Sequence, residues 1–225
     1  MRDHHRKGHR VAALYDVHAM PRALEAVLAE VDRVGVDAIV FGGDVFLGPQ
    51  PAETLELVRS VDAQFVRGNC DREPNDWVLA HLDGDAVEWA RSWPPTVELD
   101  GVLYCHATPR SDEPILTDAS PDERFADALD GVDARLVVAG HTHMQFKRGR
   151  WANAGSIGMP YEDDVAAFWA IVGDDVEFKR TPFDVERVAV EIRESGWPDG
   201  EEFVTENVLS APSRAEATAY FESLA

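Results

Sequence analysis

Five short apolar runs in this chain each end at side chains of the kind that bind metal ions, and few folds can use such a repeat. Val11-Ala12-Ala13-Leu14-Tyr15 runs into Asp16-Val17-His18. Ala38-Ile39-Val40-Phe41 passes through Gly42-Gly43 to Asp44. Gln64-Phe65-Val66-Arg67 leads to Gly68-Asn69-Cys70-Asp71. Val102-Leu103-Tyr104-Cys105 ends in His106, and Arg135-Leu136-Val137-Val138-Ala139 in Gly140-His141-Thr142-His143. Runs of this length and composition read as buried strands. Sheets of α/β proteins place their ligands at the carboxyl ends of their strands. The chain is therefore expected to gather these groups along one sheet edge.

The intervening stretches support an α/β layer. Pro21 opens a helix with Leu24, Val27, Leu28 and Val31 on one face and Gly35 at its end. Pro51 opens a second, carrying Leu55, Leu57 and Val58. Strand, helix, strand, helix, strand is the order of a parallel sheet. Residues 74–93 read as mainly helical, anchored by Trp77, Leu79, Leu82, Val87, Trp89 and Trp93, until Pro94-Pro95 breaks the pattern. Asp100-Gly101 between two apolar runs predicts a hairpin. A polar loop to about residue 120, a helix over 121–130 and strands over 145–150 and 151–154 follow. A second hairpin joins 165–172 to 176–180. Helices over 184–194 and 213–223 close the chain. One domain over 1–225 is expected, with a core over about 10–182 and a helical extension over about 183–225. That extension carries no ligand set and reads as covering a sheet edge or mediating self-association.

Charge limits the partners. Lys and Arg total 21 against 42 Asp and Glu, a formal net charge of -21. Such a chain repels nucleic acid and anionic membrane, whereas a local cationic centre still attracts a small anion. Two cysteines make no disulfide framework, so a reducing cytoplasm is the expectation. No apolar run approaches the roughly 18 residues that span a bilayer. The first ten residues lack a hydrophobic segment, and their histidines, His4, His5 and His9, read as a polar tail.

Singly, the strand-end groups say little. Asp-x-His after a strand is usually a loop, His-x-His is as often surface as metal site, and a histidine after an apolar strand is commonly an ordinary buried one. Their joint occurrence in this order removes those readings. In an extended segment residues i and i+2 point to the same side. Asp16 and His18 are therefore expected to face one way together, and so are His141 and His143. Four histidines, two aspartates and one asparagine form a nitrogen and oxygen set suited to Mn, Fe, Zn, Ni or Co. Seven side chains exceed one four-coordinate ion and suit two, with one carboxylate shared. Two such ions clamp a phosphoryl group and yield a bridging hydroxide near neutral pH. An anionic phosphate ester is the substrate that this centre attracts.

The order Asp16-x-His18, Gly43-Asp44, Gly68-Asn69-x-Asp71, His106, Gly140-His141-x-His143 resembles the calcineurin-like metallophosphoesterase superfamily, over about residues 10–160. Asn153-Ala154-Gly155-Ser156 resembles the segment that follows the double histidine in its bacterial members. The resemblance implies a four-layer α-β-β-α sandwich of two sheets flanked by helices. It also implies that Asp16, His18 and His143 hold one metal and Asn69, His106 and His141 the other, with Asp44 bridging. Cys70 departs from the pattern, since many members carry histidine there to protonate the leaving group. A thiol is a poor general acid near neutrality, which points to phosphodiesters or activated esters rather than alkyl monoesters. Cys70 as a covalent nucleophile is chemically open and made unnecessary by a metal hydroxide. Asp71 reads equally as a brace for a ligand and as a turn residue. Arg110 reads equally as a bidentate phosphate ligand and as a solvated loop arginine, and Arg72 has the same two readings. The alternative to an enzyme is a metal-binding scaffold, because the superfamily includes a non-enzymatic retromer subunit. A nuclease is disfavoured by charge and by the lack of a basic, aromatic-interleaved stretch.

Overall fold

The computed structural model describes residues 9–225, so most of the expected N-terminal tail, including His4 and His5, lies outside the described residues. In chain order the elements are β1 (Val11–Leu14), α1 (Pro21–Val34), β2 (Ala38–Phe41), α2 (Pro51–Arg59), β3 (Gln64–Phe65), α3 (Asn69–Arg72), α4 (Asp76–His81), α5 (Gly84–Arg91), β4 (Thr96–Leu99) and β5 (Val102–Cys105). They continue with α6 (Asp122–Ala128), β6 (Leu136–Ala139), β7 (Phe146–Arg148), β8 (Trp151–Asn153), β9 (Ala167–Val172), β10 (Val176–Thr181), α7 (Val185–Ser195), α8 (Gly200–Phe203) and α9 (Arg214–Leu224). A single wide turn of π-helix, Val204–Val208, extends α8.

Two mixed five-stranded sheets form the centre, in the orders β10-β9-β1-β2-β3 and β4-β5-β6-β8-β7. Within each, three neighbours are parallel: β1, β2 and β3 in the first, β5, β6 and β8 in the second. Side-chain alternation along the strands then makes four layers. Val11 and Ala13 of β1 meet Leu136 and Val138 of β6 in the apolar seam between the sheets. Ala12 and Leu14 point the other way, under Leu24 and Val27 of α1. Val137 and Ala139 back onto Phe125 and Ala128 of α6. Each large aliphatic side chain so buried contributes about 1.5–3 kcal/mol, which fixes strand register and with it the position of every strand end.

The proline-opened helices form where expected. Pro21 and Pro51 occupy first-turn positions that need no amide hydrogen. Gly35 closes α1 with φ +66°, its N–H bonded to the Val31 carbonyl. Four expectations change. The helical stretch 74–93 is broken after His81, because Leu82 is extended and the Asp83 carboxylate caps a new helix at Ala86 N (2.7 Å). Leu79, read as an anchor, is 47% exposed. β3 keeps two residues, since Arg67 N turns to the Pro94 carbonyl (2.9 Å) and leads the chain off the sheet edge. β7 stops at Arg148, where Gly149 turns the chain into β8.

The C-terminal helices have separate places. α7 lies beside α1, with Arg22 donating to Glu191 (2.9 Å), and buries Val188, Ala189 and Ile192 in the cluster that holds Trp169 and Ile171. α9 buries no side chain fully. It packs near the strand-end loops, where Glu222 accepts from Thr117 (2.6 Å), Arg124 (3.1 Å) and Ser120. Among the described residues no helix is long and apolar enough to cross a membrane.

Candidate metal centre

The carboxyl ends of β1, β2 and β3 meet those of β5 and β6, and the strand-end side chains converge there in two groups. Ligand-type atoms of Asp16, His18 and His143 lie within 4.8 Å of one another, and so do those of Asp44, His106 and His141. The groups adjoin: His106 Nε2 is 3.4 Å from Asp44 Oδ2 and 4.0 Å from Asp16 Oδ1. Asn69 Oδ1 sits 3.1 Å from His106 Nε2. All seven residues singled out by the strand-end pattern are thus in one cleft.

Convergence does not come from strand alternation. β1 ends at Leu14 and β6 at Ala139, and the residues beyond are left-handed: Asp16 (φ 52°), His18 (48°), Asp44 (52°), His141 (68°) and His143 (59°). His141 and His143 consequently go to different groups. Non-glycine residues enter this region at a cost of about 1–3 kcal/mol each, and clusters of them mark functional sites. Glycine is required next to them. A Cβ on Gly43 would lie 2.6 Å from Gly68 N and 2.7 Å from His106 Nδ1, and one on Gly68 would lie 2.1 Å from Asp44 Oδ1.

Each imidazole is oriented by a main-chain carbonyl. His18 Nδ1 pairs with Leu47 O (3.0 Å), His106 Nδ1 with Gly42 O (2.9 Å) and His143 Nδ1 with Met159 O (2.7 Å). A carbonyl only accepts, so each Nδ1 carries the hydrogen and each Nε2 turns a lone pair to the cleft when the ring is neutral. His141 is reversed, with Nε2 against Glu113 O (3.1 Å) and Nδ1 left for a ligand. The Nε2 atoms of His18 and His143 face each other at 3.2 Å, beside Asp16 Oδ1. That oxygen is buried and has no hydrogen-bond partner among the described residues. Electron-rich atoms brought together without a donor fit a cation, and the two groups together fit a pair of divalent ions.

The carboxylates are held by the backbone. Asp16 Oδ2 accepts from His141 N (2.9 Å), tying the two ligand loops together. Asp44 Oδ1 accepts from Cys70 N (2.9 Å) and its Oδ2 from the Cys70 thiol (3.1 Å). Asp71 accepts from Asp44 N (2.8 Å), Val45 N (3.0 Å) and Gly68 N (3.0 Å), so it holds the turn carrying Asp44. Asn153 donates to Gly140 O (2.6 Å) and Thr142 Oγ1 (3.0 Å), and Ser156 Oγ to Asp16 O (2.8 Å). The segment after the double histidine is therefore a clasp on both ligand loops.

Electrostatics follow from this packing. Burial pushes the Asp44 carboxyl up, but the adjoining His106 ring more than offsets it and holds it well below its usual range. Burial likewise opposes the charge on His106, yet the Asp44 carboxylate raises that imidazole to about 10. Burial and a neighbouring imidazole lower His18 and His141. Burial and the Asp44 charge push Asp71 up to about 7, against its amide donors, and push the Cys70 thiol far above its ordinary value.

The remaining candidates are placed differently. Arg110 is directed to α6, donating to the Asp127 carboxylate and carbonyl (both 2.7 Å). Arg72 is engaged by Asp112, Glu113 and Glu73. Arg67 carries a guanidinium with no carboxylate partner among the described residues, bonded through Nη1 to Arg91 O (3.0 Å). It lines a recess of about 170 Å³ with Arg72, Arg110 and His106. Tyr161 stacks on His143, with centroids 5.2 Å apart and 13° between planes, and Phe221 of α9 lies 5.9 Å beyond. The sequence around Tyr161 carries no periodicity or motif that marks it. Arg67 has only its place two residues before Asn69.

This arrangement, two sheets with a histidine and carboxylate cleft at their carboxyl edge, defines a metallophosphoesterase fold and site. The family model for the calcineurin-like phosphoesterase superfamily domain matches residues 10–173, and the chain belongs to that superfamily. The solved metallophosphoesterase from Sphaerobacter thermophilus is 26% identical, covers 91% of this chain and 99% of its own, and superposes with a TM-score of 0.74. Hypothetical protein PH1004 from Pyrococcus horikoshii OT3 has the same TM-score at 18% identity, with 87% and 97% covered, and is like this chain in fold. The uncharacterized protein MJ0912 of Methanocaldococcus jannaschii is 24% identical over 84% of this chain and 94% of its own length.

Proposed function

We propose that the chain is a phosphoesterase that works with two divalent ions and prefers phosphodiesters or esters with good leaving groups. The observation that carries this reading is the unpaired Asp16 Oδ1 beside two opposed Nε2 atoms, a set of lone pairs that a cation completes. Asp16, His18 and His143 would hold one ion, Asn69, His106 and His141 the other, and Asp44 would be shared; Mn, Fe, Zn, Ni and Co all suit these donors. When bound, such ions polarise phosphoryl oxygens and lower the pKa of water enough to supply hydroxide near neutral pH.

The chain's own side chains do the rest. Asn69, His106 and Asp44 lie together at the head of the cleft, where the phosphoryl group would sit. The Arg67 guanidinium at the recess, without a carboxylate partner among the described residues, favours a small anion although the protein as a whole is acidic. Cys70 supports the leaving-group preference. Its proton is directed to Asp44, and burial beside that carboxylate makes it a worse acid than an ordinary thiol. An alkyl ester would have to expel an unprotonated alkoxide, which is slow, whereas an aryl oxide needs little protonation to leave.

The test is a panel of aryl and alkyl mono- and diesters, assayed on metal-stripped protein and after reloading with each of the five metals. Aryl diesters are expected to turn over with at least one metal and not at all after stripping. Absence of turnover with every metal would overturn the enzyme reading.

A further inference from the structure

Beside the metal cluster lies a larger space that this chemistry leaves unused. A cavity of about 520 Å³ runs between the 108–116 loop and α6, with Pro114, Ile115, Leu116 and Ala128 forming an apolar wall. It shares Thr108, Arg110 and Ser111 with the recess that contains His106, so the two spaces adjoin at Arg110. Its volume is that of a small-molecule site.

The cavity is also preformed and tied to the ligand loops. Glu113 O meets His141 Nε2 at 3.1 Å, and Thr142 Oγ1 donates to Leu116 O at 3.1 Å. Glu222 holds Thr117, Ser120 and the lining residue Arg124. The cations around the cavity are paired: Arg110 with Asp127 and Arg124 with Glu222. A second phosphate there would meet Glu123 with both nearby arginines taken. An apolar group would meet carbon and displace water from it.

We propose that this cavity receives the organic arm of the ester, and that the substrate class is a phosphodiester carrying one bulky, uncharged apolar group. The proposal rests on the phosphoesterase reading for its chemistry. The pair methyl 4-nitrophenyl phosphate and cyclohexylmethyl 4-nitrophenyl phosphate tests it, because leaving group and charge are identical. The bulky ester is expected to have at least tenfold higher kcat/KM. That ratio should fall at least tenfold in Ile115→Asp and persist in Ile115→Leu. Independently of turnover, methyl NMR of the metal-free protein titrated with cyclohexylmethyl phosphate should move the Ile115, Leu116 and Ala128 signals first.

A ratio near one, an equal loss on both esters in Ile115→Asp, or shifts confined to other methyl groups would each overturn the proposal. If neither ester is hydrolysed with any metal, the phosphoesterase reading fails. The NMR titration would still decide whether the cavity takes an apolar phosphate ester.

Discussion

Replacing Gly68 with alanine tests how far the centre depends on main-chain packing. The backbone there is unstrained, with φ -90° and ψ 174°, so the substitution acts through its methyl group alone. That methyl would lie 2.1 Å from Asp44 Oδ1, 2.5 Å from Asp44 N and 2.9 Å from Asp44 Cγ. Asp44 has nowhere to retreat. Its Oδ1 is bonded to Cys70 N, its own N–H to Asp71, and its Oδ2 faces His106 at 3.4 Å. Separation therefore breaks at least one charge-assisted hydrogen bond, worth about 1.5–3 kcal/mol, and adds overpacking of about 1–3 kcal/mol. We expect Gly68→Ala to destabilise the metal-free protein by about 3 kcal/mol, lowering Tm by roughly 6–12 °C. Metal content after reloading should fall at both positions. Gly84→Ala is the control: a Cβ there meets nothing within 4 Å, and alanine early in α5 should be neutral or stabilise by up to about 1 kcal/mol. Urea unfolding and elemental analysis read both quantities. If Gly68→Ala unfolds within 1 kcal/mol of wild type and retains full metal content, the steric argument is wrong.

Asp44→Asn should lower occupancy of both metals, whereas His18→Ala should lower mainly one; elemental analysis showing two ions retained after Asp44→Asn would remove the shared role. Cys70→His should raise the ratio of alkyl to aryl ester turnover by about tenfold or more, general acids being worth 10²–10⁴, and an unchanged ratio would refute the account of Cys70. In the metal-free protein His106 is raised from 6.5 to about 10, so its pairing stabilises the fold fully below pH 6.5 and is lost as pH rises through about 10. Asp44 is depressed below 3.8, so its contribution is present above that value and lost as pH falls below it. Denaturation between pH 6 and 10 should therefore show declining stability that His106→Gln flattens; a rise with pH specific to wild type would contradict the pairing.

The candidate ligand set was legible because each member follows an apolar run, and residue type and strand position are both written in sequence. The proline starts of α1 and α2 and the Asp100-Gly101 hairpin were legible for the same reason, since each is local chemistry. The means of convergence was not. Left-handed turns at Asp16, His18, Asp44, His141 and His143 are imposed by contacts between loops from two sheets, against the preference of those residues. Asp71 shows the same limit. Its carboxylate was visible as a brace or a turn, but its amide donors come from both the 43–45 and 68–71 segments. Tyr161 and Glu222 act on residues far along the chain, His143 and Thr117, and no local pattern announces such pairings.

The left-handed ligands carry a consequence for inheritance. Five residues of the candidate metal centre occupy left-handed backbone conformations that glycine would adopt more comfortably. A mutation such as His141→Gly would delete a proposed ligand and relax the main chain in the same step. Selection for stability alone would thus push a lineage away from the proposed reaction, and selection for that reaction would be needed to keep these five residues in place. Inactive descendants on this architecture lie downhill, reachable by substitutions that leave the sheets and their core untouched.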